Sequence, residues 1–373
     1  MTSTGPLLPS VVSELRSNFS SALDAAKSFA QTNLPAPSAS ASLSSFLFSS
    51  GSPLYSSSDY MLASQLARSL EGALGAPLEK VSLRWTGWEN AFAGSNAAPE
   101  AGFQHLVEKI NHDAQLLGAE TRLGEAVLSL ERRDDGGITV LTDKAVYNAR
   151  TVVCTIPLGV LKHNPSQFTP PLHARRLETI AGTHVGVLEK LVLVYPDVWW
   201  AGGSSVGSFT FLPTHQALSE GYLDAKAVLT SHTLFMVSFA APSLPNPHPT
   251  LLIYLSSTPA QLLAQFPTDD VSRAAHAFLV DRFNPASPPP EPLATIKTDW
   301  MNDPLTRGAT TTPTVVGEGR SPFDFVELGK PVWDGRLGFA GEHTDADHRG
   351  SVAGAVVSGQ REAARVGRLL SLL

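Results

Sequence analysis

Cysteine is almost missing from this 373-residue chain, with Cys154 its single example. Internal disulfides are thereby excluded, which fits a reducing compartment. Long apolar runs are missing too: none reaches the length a membrane span needs. The opening MTSTGPLLPSVVSELRS lacks the basic start and apolar centre of a secretory signal. The closing SLL is not a peroxisomal address. An intracellular, non-membrane protein is expected, cytoplasmic first and nuclear as the alternative. Charged residues make up only 16% and sum to −7. That balance argues against nucleic acid as the main partner and would suit a cationic substrate. No internal repeat is visible, and no metal site is expected.

What is present is an ordinary globular composition, 43% hydrophobic. The chain is long enough to bury a large core and divide into two domains. Val12, Leu15, Phe19, Leu23 and Ala26 recur at helical spacing and predict a helix over 11–31. Residues 38–58 hold 11 serines in 21 positions, the composition of a flexible or loosely packed connector. Ser58-Asp59 caps a second predicted helix running to about Leu74, where Gly75 and Pro77 stop it. EKVSLRW (79–85) alternates like a strand, and residues 102–118 like an amphipathic helix ended by glycine. Residues 123–156 read as sheet, with Asp135-Gly136-Gly137 as a hairpin turn. Within them TVVCTI (151–156) reads as a strand covered on both faces. Further strands are expected at 189–200, near 227–240 and at 250–256, then a helix over about 268–282 and a proline-rich break. Mixed strands and helices without strict alternation predict an α/β core with an inserted α+β region.

Three stretches can carry chemistry. GRLGFAGEHTDADHRGSVAGAVVSGQREAARVGRLL (335–370) runs from an apolar strand through Gly341-Glu342 into a polar loop, then a helix rich in small residues. Glycine at 341 lets the backbone approach a ligand, and Glu342 can accept hydrogen bonds from ribityl or ribose hydroxyls. The first amides of the helix, at Ser351 and Val352, carry the positive end of its dipole. They favour an acceptor or developing anion by roughly 0.3–1 kcal/mol. The same residues also suit a terminal strand and helix packed through small side chains, with Glu342 on the surface. TVVCTIPLGVLKHNPSQFTPPL (151–172) is by itself a buried strand with a Pro/Gly crossover. Lys190, near the start of EKLVLVYPDVWW, is either an edge residue whose stem snorkels or a buried amine held for a purpose.

In order and spacing, these stretches resemble one family. VVCTIPLGVLK with FTPPL, EKLVLVYPDVWW, DWMNDPLTRG and FAGEHT…SVAGAVVSGQREA are together similar to flavin-dependent amine oxidases of the polyamine oxidase and lysine-specific histone demethylase type. The likeness covers residues 80 to about 370. It implies an α/β fold: an FAD/NAD(P)-binding Rossmann-like domain, incomplete at its N-terminus, interleaved with an α+β substrate domain. The spans it suggests are 1–98 for part of the substrate domain (with the serine-rich linker 38–58) and 99–165 for an FAD-binding segment. The rest of the substrate domain would be 166–297, and a C-terminal FAD-binding segment 298–373.

The resemblance also implies roles. Glu342, with Gly341, falls at the ribityl–pyrophosphate region, the amides of Ser351 and Val352 at the flavin's pyrimidine edge, and the backbone of Val127 at the adenine. Lys190 matches a lysine that holds a water near flavin N5, and Trp300 matches an aromatic beside the flavin. His348 stands where many relatives place a tyrosine that walls the amine. Cys154 is not where monoamine oxidases attach their flavin, so non-covalent FAD is implied. The implied reaction removes hydride from a carbon attached to an amine nitrogen, giving an imine that water hydrolyses, while O2 becomes hydrogen peroxide. The lack of a long helical insertion favours a small polyamine-like secondary amine over a histone tail.

One absence cuts the other way. The Gly-x-Gly-x-x-Gly turn that cradles the pyrophosphate has no counterpart in residues 1–80. Weak cofactor binding and an uncovered sheet edge are therefore expected. After Arg307-Gly308, moreover, ATTTP replaces the family's serine–tyrosine–serine run. A catalytically inactive homologue kept as a binding or structural protein is the competing reading.

Overall fold

The computed structural model describes residues 5–88, 99, 102–200, 206–213, 224–312, 317 and 319–371. Helical spacing near the N-terminus is realised as one helix, Pro9–Thr32, with Leu15, Ala22 and Ala26 buried along a stripe. The serine-rich stretch is not the loose connector its composition suggests. Leu43–Leu47 forms a short helix and Pro53–Ser56 a 3-10 turn. Ser42 Oγ accepts from Ser45 N at 3.2 Å and Ser52 Oγ from Leu54 N at 3.3 Å. With these hydroxyls bonded locally, Leu43, Leu47 and Leu54 bury into the same core as the first helix.

Asp59 caps the helix Tyr60–Ala67, its Oδ1 accepting from Leu62 N at 3.0 Å. The helix breaks at Arg68 and resumes as Leu70–Leu74 before Gly75. EKVSLRW makes no strand. Ser82 forms a single bridge to Ser42, and the side chains of Arg84 and Trp85 donate to the carbonyls of Pro37 and Arg320. Its alternation finds no neighbouring ladder to join.

The chain forms two compact units: residues 1–89, 157–160 and 181–325, and residues 90–156, 161–180 and 326–373. These divisions differ from cuts at 98, 165 and 297 because of pairing. Phe168–Thr169 runs parallel to the strand Val127–Arg132, and Thr310–Thr312 pairs with His184–Gly186.

In the first unit, Ala294–Lys297, Glu189–Val194, Thr250–Leu255, Leu234–Ser238 and Ser208–Phe211 form an antiparallel sheet in that order. Leu191 and Leu193 point to one face and share a core with Val228 of the helix Ala225–Ser231 and Ala275, Phe278 and Leu279 of Thr268–Phe283. Two strand expectations need correction here. Residues 189–200 are strand only to Val194, since Pro196 has no N–H to donate. Residues 227–231 belong to a helix, because Asp224 caps it through a bond from Ala227 N at 2.7 Å.

The second unit holds a four-stranded sheet, in the order Val146–Ala149, Ile138–Thr142, Val127–Arg132 and Phe168–Thr169. Its predicted hairpin is closed by Asp135, whose Oδ1 accepts from Gly137 N at 2.9 Å. A separate parallel pair joins Val152–Cys154 to Leu337–Phe339. Cys154 is buried, but Val153 is 37% exposed. This strand is covered on one face only: Cys154 points into the core and Val153 to the opposite, open face. The helix Gly102–Leu116 likewise buries none of its residues and leaves Phe103, Val107 and Ile110 exposed. The last helix, Val352–Ser371, is fastened to the last strand and the loop after it. Arg361 donates to Phe339 O at 2.6 Å and Thr344 O at 2.9 Å.

Candidate active site

The expected site residues fall into two groups, one in each unit. In the first unit the strand Glu189–Val194 is interior, paired with Thr250–Leu255 on one side and Ala294–Lys297 on the other. Lys190 is therefore no edge residue. Alternation along the strand turns it away from Leu191 and Leu193, to the face opposite the helices. Its Nζ lies 5.2 Å from the ring centre of Trp300 and 5.8 Å from that of Tyr254. Both are within range of a cation–π attraction. No carboxylate comes within ion-pair distance of it among the described residues. A half-buried ammonium held by two rings keeps its N–H donors for water or a ligand.

Trp300 is held by its own turn: its carbonyl accepts from Gly308 N at 3.0 Å and Thr306 Oγ1 at 2.7 Å. Tyr254 was not legible as a site residue. It stands directly across from Lys190 in the ladder, a register that single strands do not announce.

In the second unit Gly341, Glu342, His348, Ser351 and Val352 come together in one loop and helix start. Gly341 sits at φ 138°, and a Cβ there would lie 2.7 Å from Cε1 of His343, so only glycine passes. Its N–H donates to Ser358 Oγ at 2.9 Å. His343 is buried, and burial first, the nearby Arg176 guanidinium second, push its pKa down to about 4. Glu342 Oε2 accepts from Gly350 N at 2.7 Å, so one carboxylate oxygen shapes the loop.

Ser351 Oγ accepts from Gly354 N at 3.0 Å and donates to His348 O at 2.5 Å, closing the helix start. A Cβ on Gly354 would lie 2.2 Å from that same oxygen. The loop and first turn thus pack closely, with the Ser351 hydroxyl bridging them. His348 is pinned by Asp345, whose Oδ1 accepts from His348 N at 2.8 Å and lies 3.1 Å from Nδ1. Val352 is 44% exposed in the first turn, where N–H groups have no intrahelical partner. The positive end of the helix dipole there favours an acceptor oxygen or anion. Val127 does not join this cluster of short contacts. It begins a strand of the four-stranded sheet, 42% exposed beside a register shift at Ser129.

A profile of the family described as flavin containing amine oxidoreductase matches residues 10–367. Among curated proteins, the chain is 30% identical over 302 residues to Protein FLOWERING LOCUS D of Arabidopsis thaliana, covering 80% of this chain and 35% of that protein. It is 29% identical over 302 residues to Lysine-specific histone demethylase 1 homolog 3 of Oryza sativa subsp. indica, covering 80% and 34%. The chain thus spans about a third of the length of these relatives. Among solved structures, a putrescine oxidase double mutant superposes with a TM-score of 0.68 at 20% identity, over 97% of this chain and 77% of that one. Cyclohexylamine oxidase from Brevibacterium oxydans gives 0.63 at 19%, over 98% and 76%. These two likenesses are of fold.

Proposed function

Because the chain belongs to the flavin-containing amine oxidoreductases, a family whose cofactor is FAD, we propose that it oxidises a polyamine-like secondary amine, with O2 as acceptor and FAD held non-covalently. The observation that carries this reading is Lys190: an ammonium on an interior strand, near two aromatic rings, with no carboxylate against it among the described residues.

The second unit's residues fit such a cofactor. The exposed first turn at Val352 offers donors to an oxygen-bearing ring edge, and Gly341 and Gly354 let the loop and helix start close on themselves. Ser351 and Val352 would hold that edge through backbone N–H groups, Glu342 would accept from ribityl or ribose hydroxyls, and Val127 would meet the adenine through its backbone. Cys154 supports non-covalent binding, since burial pushes its thiol up to about 11 and leaves it unreactive.

The chemistry FAD supplies when bound is two-electron oxidation of the carbon beside the amine nitrogen, with return of the electrons to O2. The protein's share is orientation and exclusion of water. Lys190 would hold a water by donation from Nζ, and Trp300 would wall the reacting amine on the same side. His348, kept still by Asp345, could direct the amine by a hydrogen bond.

The test is an absorbance spectrum of the purified chain after incubation with FAD, followed by anaerobic addition of spermine or spermidine. A retained flavin spectrum that bleaches on amine addition is the expected outcome. A colourless protein that takes up no FAD would refute the oxidase reading and favour the inactive homologue. That the sheet at Val152–Cys154 has only two strands among the described residues speaks for that second reading. Bleaching by a methylated-lysine peptide, but by no polyamine, would instead assign the substrate class in the names of the curated relatives.

A further inference from the structure

Glu189 is a carboxylate where the strand otherwise buries leucine. It is 3% exposed, shares the inward face with Leu191 and Leu193, and has no cation within ion-pair distance among the described residues. A buried carboxylate persists only when its oxygens are hydrogen-bonded, and both are. Oε1 accepts from Met301 N at 2.9 Å, and Oε2 accepts from Thr298 Oγ1 at 2.5 Å. The same Thr298 hydroxyl oxygen accepts from Lys190 N at 2.8 Å, while Thr298 N donates to Lys190 O at 3.0 Å.

One side chain therefore fastens the segment 298–301 at both ends, and does so from the residue next to Lys190. Inside that segment lies Trp300, whose ring is 5.2 Å from Lys190 Nζ. The two contacts differ in kind. The indole–ammonium attraction is weak and has little direction of its own, whereas the bonds to a carboxylate are charge-assisted and directional. Left to itself, the indole would have other rotamers to occupy. Held at Thr298 and Met301, its backbone has one position.

We infer that Glu189 is a positioning residue that sets Trp300 against the Lys190 ammonium, with Thr298 as its link. Its relevance to amine oxidation rests on the proposed function, but the geometry does not. Substituting the carboxylate by leucine suits the apolar face and removes both bonds. Glutamine keeps an acceptor for Met301 N.

The experiment reads Lys190 without any flavin. Lysines are reductively methylated with 13C-formaldehyde, and the Lys190 resonance is identified by its loss in Lys190→Arg. In the wild type this resonance is displaced upfield by the ring current of Trp300, and Trp300→Ala removes most of the displacement. Glu189→Leu, folded by circular dichroism, is expected to lose most of it as well, and Glu189→Gln to restore much of it. If Glu189→Leu does not fold, Thr298→Val is measured in its place, with the same expected loss. A folded Glu189→Leu or Thr298→Val that keeps the full displacement would overturn the inference. So would a Lys190 resonance unmoved by Trp300→Ala. Because neither FAD uptake nor amine turnover is read, a failed oxidase assay and a failed positioning assay remain separate results.

Discussion

Acidification should loosen the loop that carries Glu342, because His343 beside it cannot take a proton in its buried site. Its pKa is depressed from 6.5 to about 4, by burial first and by the Arg176 guanidinium second. The ring packs under Gly341, and Arg176, itself fully buried, is fixed over Phe339 with its Nη2 donating to Lys330 O. Above pH 6.5 His343 is neutral in both the folded and unfolded chain and stability does not depend on it. As pH falls, the unfolded chain gains a proton that the fold refuses. Stability is lost progressively until pH passes about 4, where both states are protonated. At about 1.4 kcal/mol per pKa unit, the whole loss is about 3 kcal/mol, a large fraction of a typical domain's stability. The assay is urea unfolding at pH 7.5, 6.0 and 4.5, for wild type and His343→Asn, with an NMR titration of the His343 ring. The wild type should lose stability over this range more steeply than the variant. A ring that titrates near 6.5, or equal pH dependence in both proteins, would refute the reasoning.

Three further outcomes are expected. Gly354→Ala places a methyl 2.2 Å from His348 O, so the first turn must shift; FAD uptake should fall sharply in an absorbance titration, with a lower Tm. Leu54→Ala should cost roughly 2–5 kcal/mol in urea unfolding, since Leu54 is core despite its serine-rich setting; an effect near zero would mean that 38–58 is a loose connector after all. Lys190→Met should keep the fold by circular dichroism and lower amine-dependent peroxide formation by roughly 10²-fold, measured in a coupled peroxidase assay. Unchanged turnover would remove Lys190 from the proposed chemistry.

The two groups of candidate residues differ in how much of each could be read before the structure. Gly341, Glu342, His348, Ser351 and Val352 are neighbours along the chain, so one contiguous motif announced them together, and their bonds in the loop are local. Lys190 and Trp300 are far apart in sequence, and the roles of Glu189, Thr298 and Tyr254 had no signal at all. Glu189 acquires its role only when Thr298 and Met301 arrive from a distant segment.

The misread segments fail for a related reason. EKVSLRW alternates as a strand should, but a strand exists only with a partner to bond, and Ser82 finds one bridge. In 38–58 the serines dominate the composition, while three leucines and the caps at Ser42 and Ser52 decide the packing. Val153 looks buried because it is apolar, yet burial is a property of what covers a face.

Residue order alone determined what depends on the chain's own neighbourhood: the helix from Pro9 to Thr32, the Asp59 cap, the Asp135 turn and the Gly341–Val352 loop, since backbone preferences, caps and close glycine contacts act over a few residues. Tertiary structure alone decided the interior place of Lys190, its pairing with Tyr254, the clasp of Glu189 on the Trp300 turn and the neutral His343. Register, burial and electrostatic environment are set by segments that meet only when the chain folds.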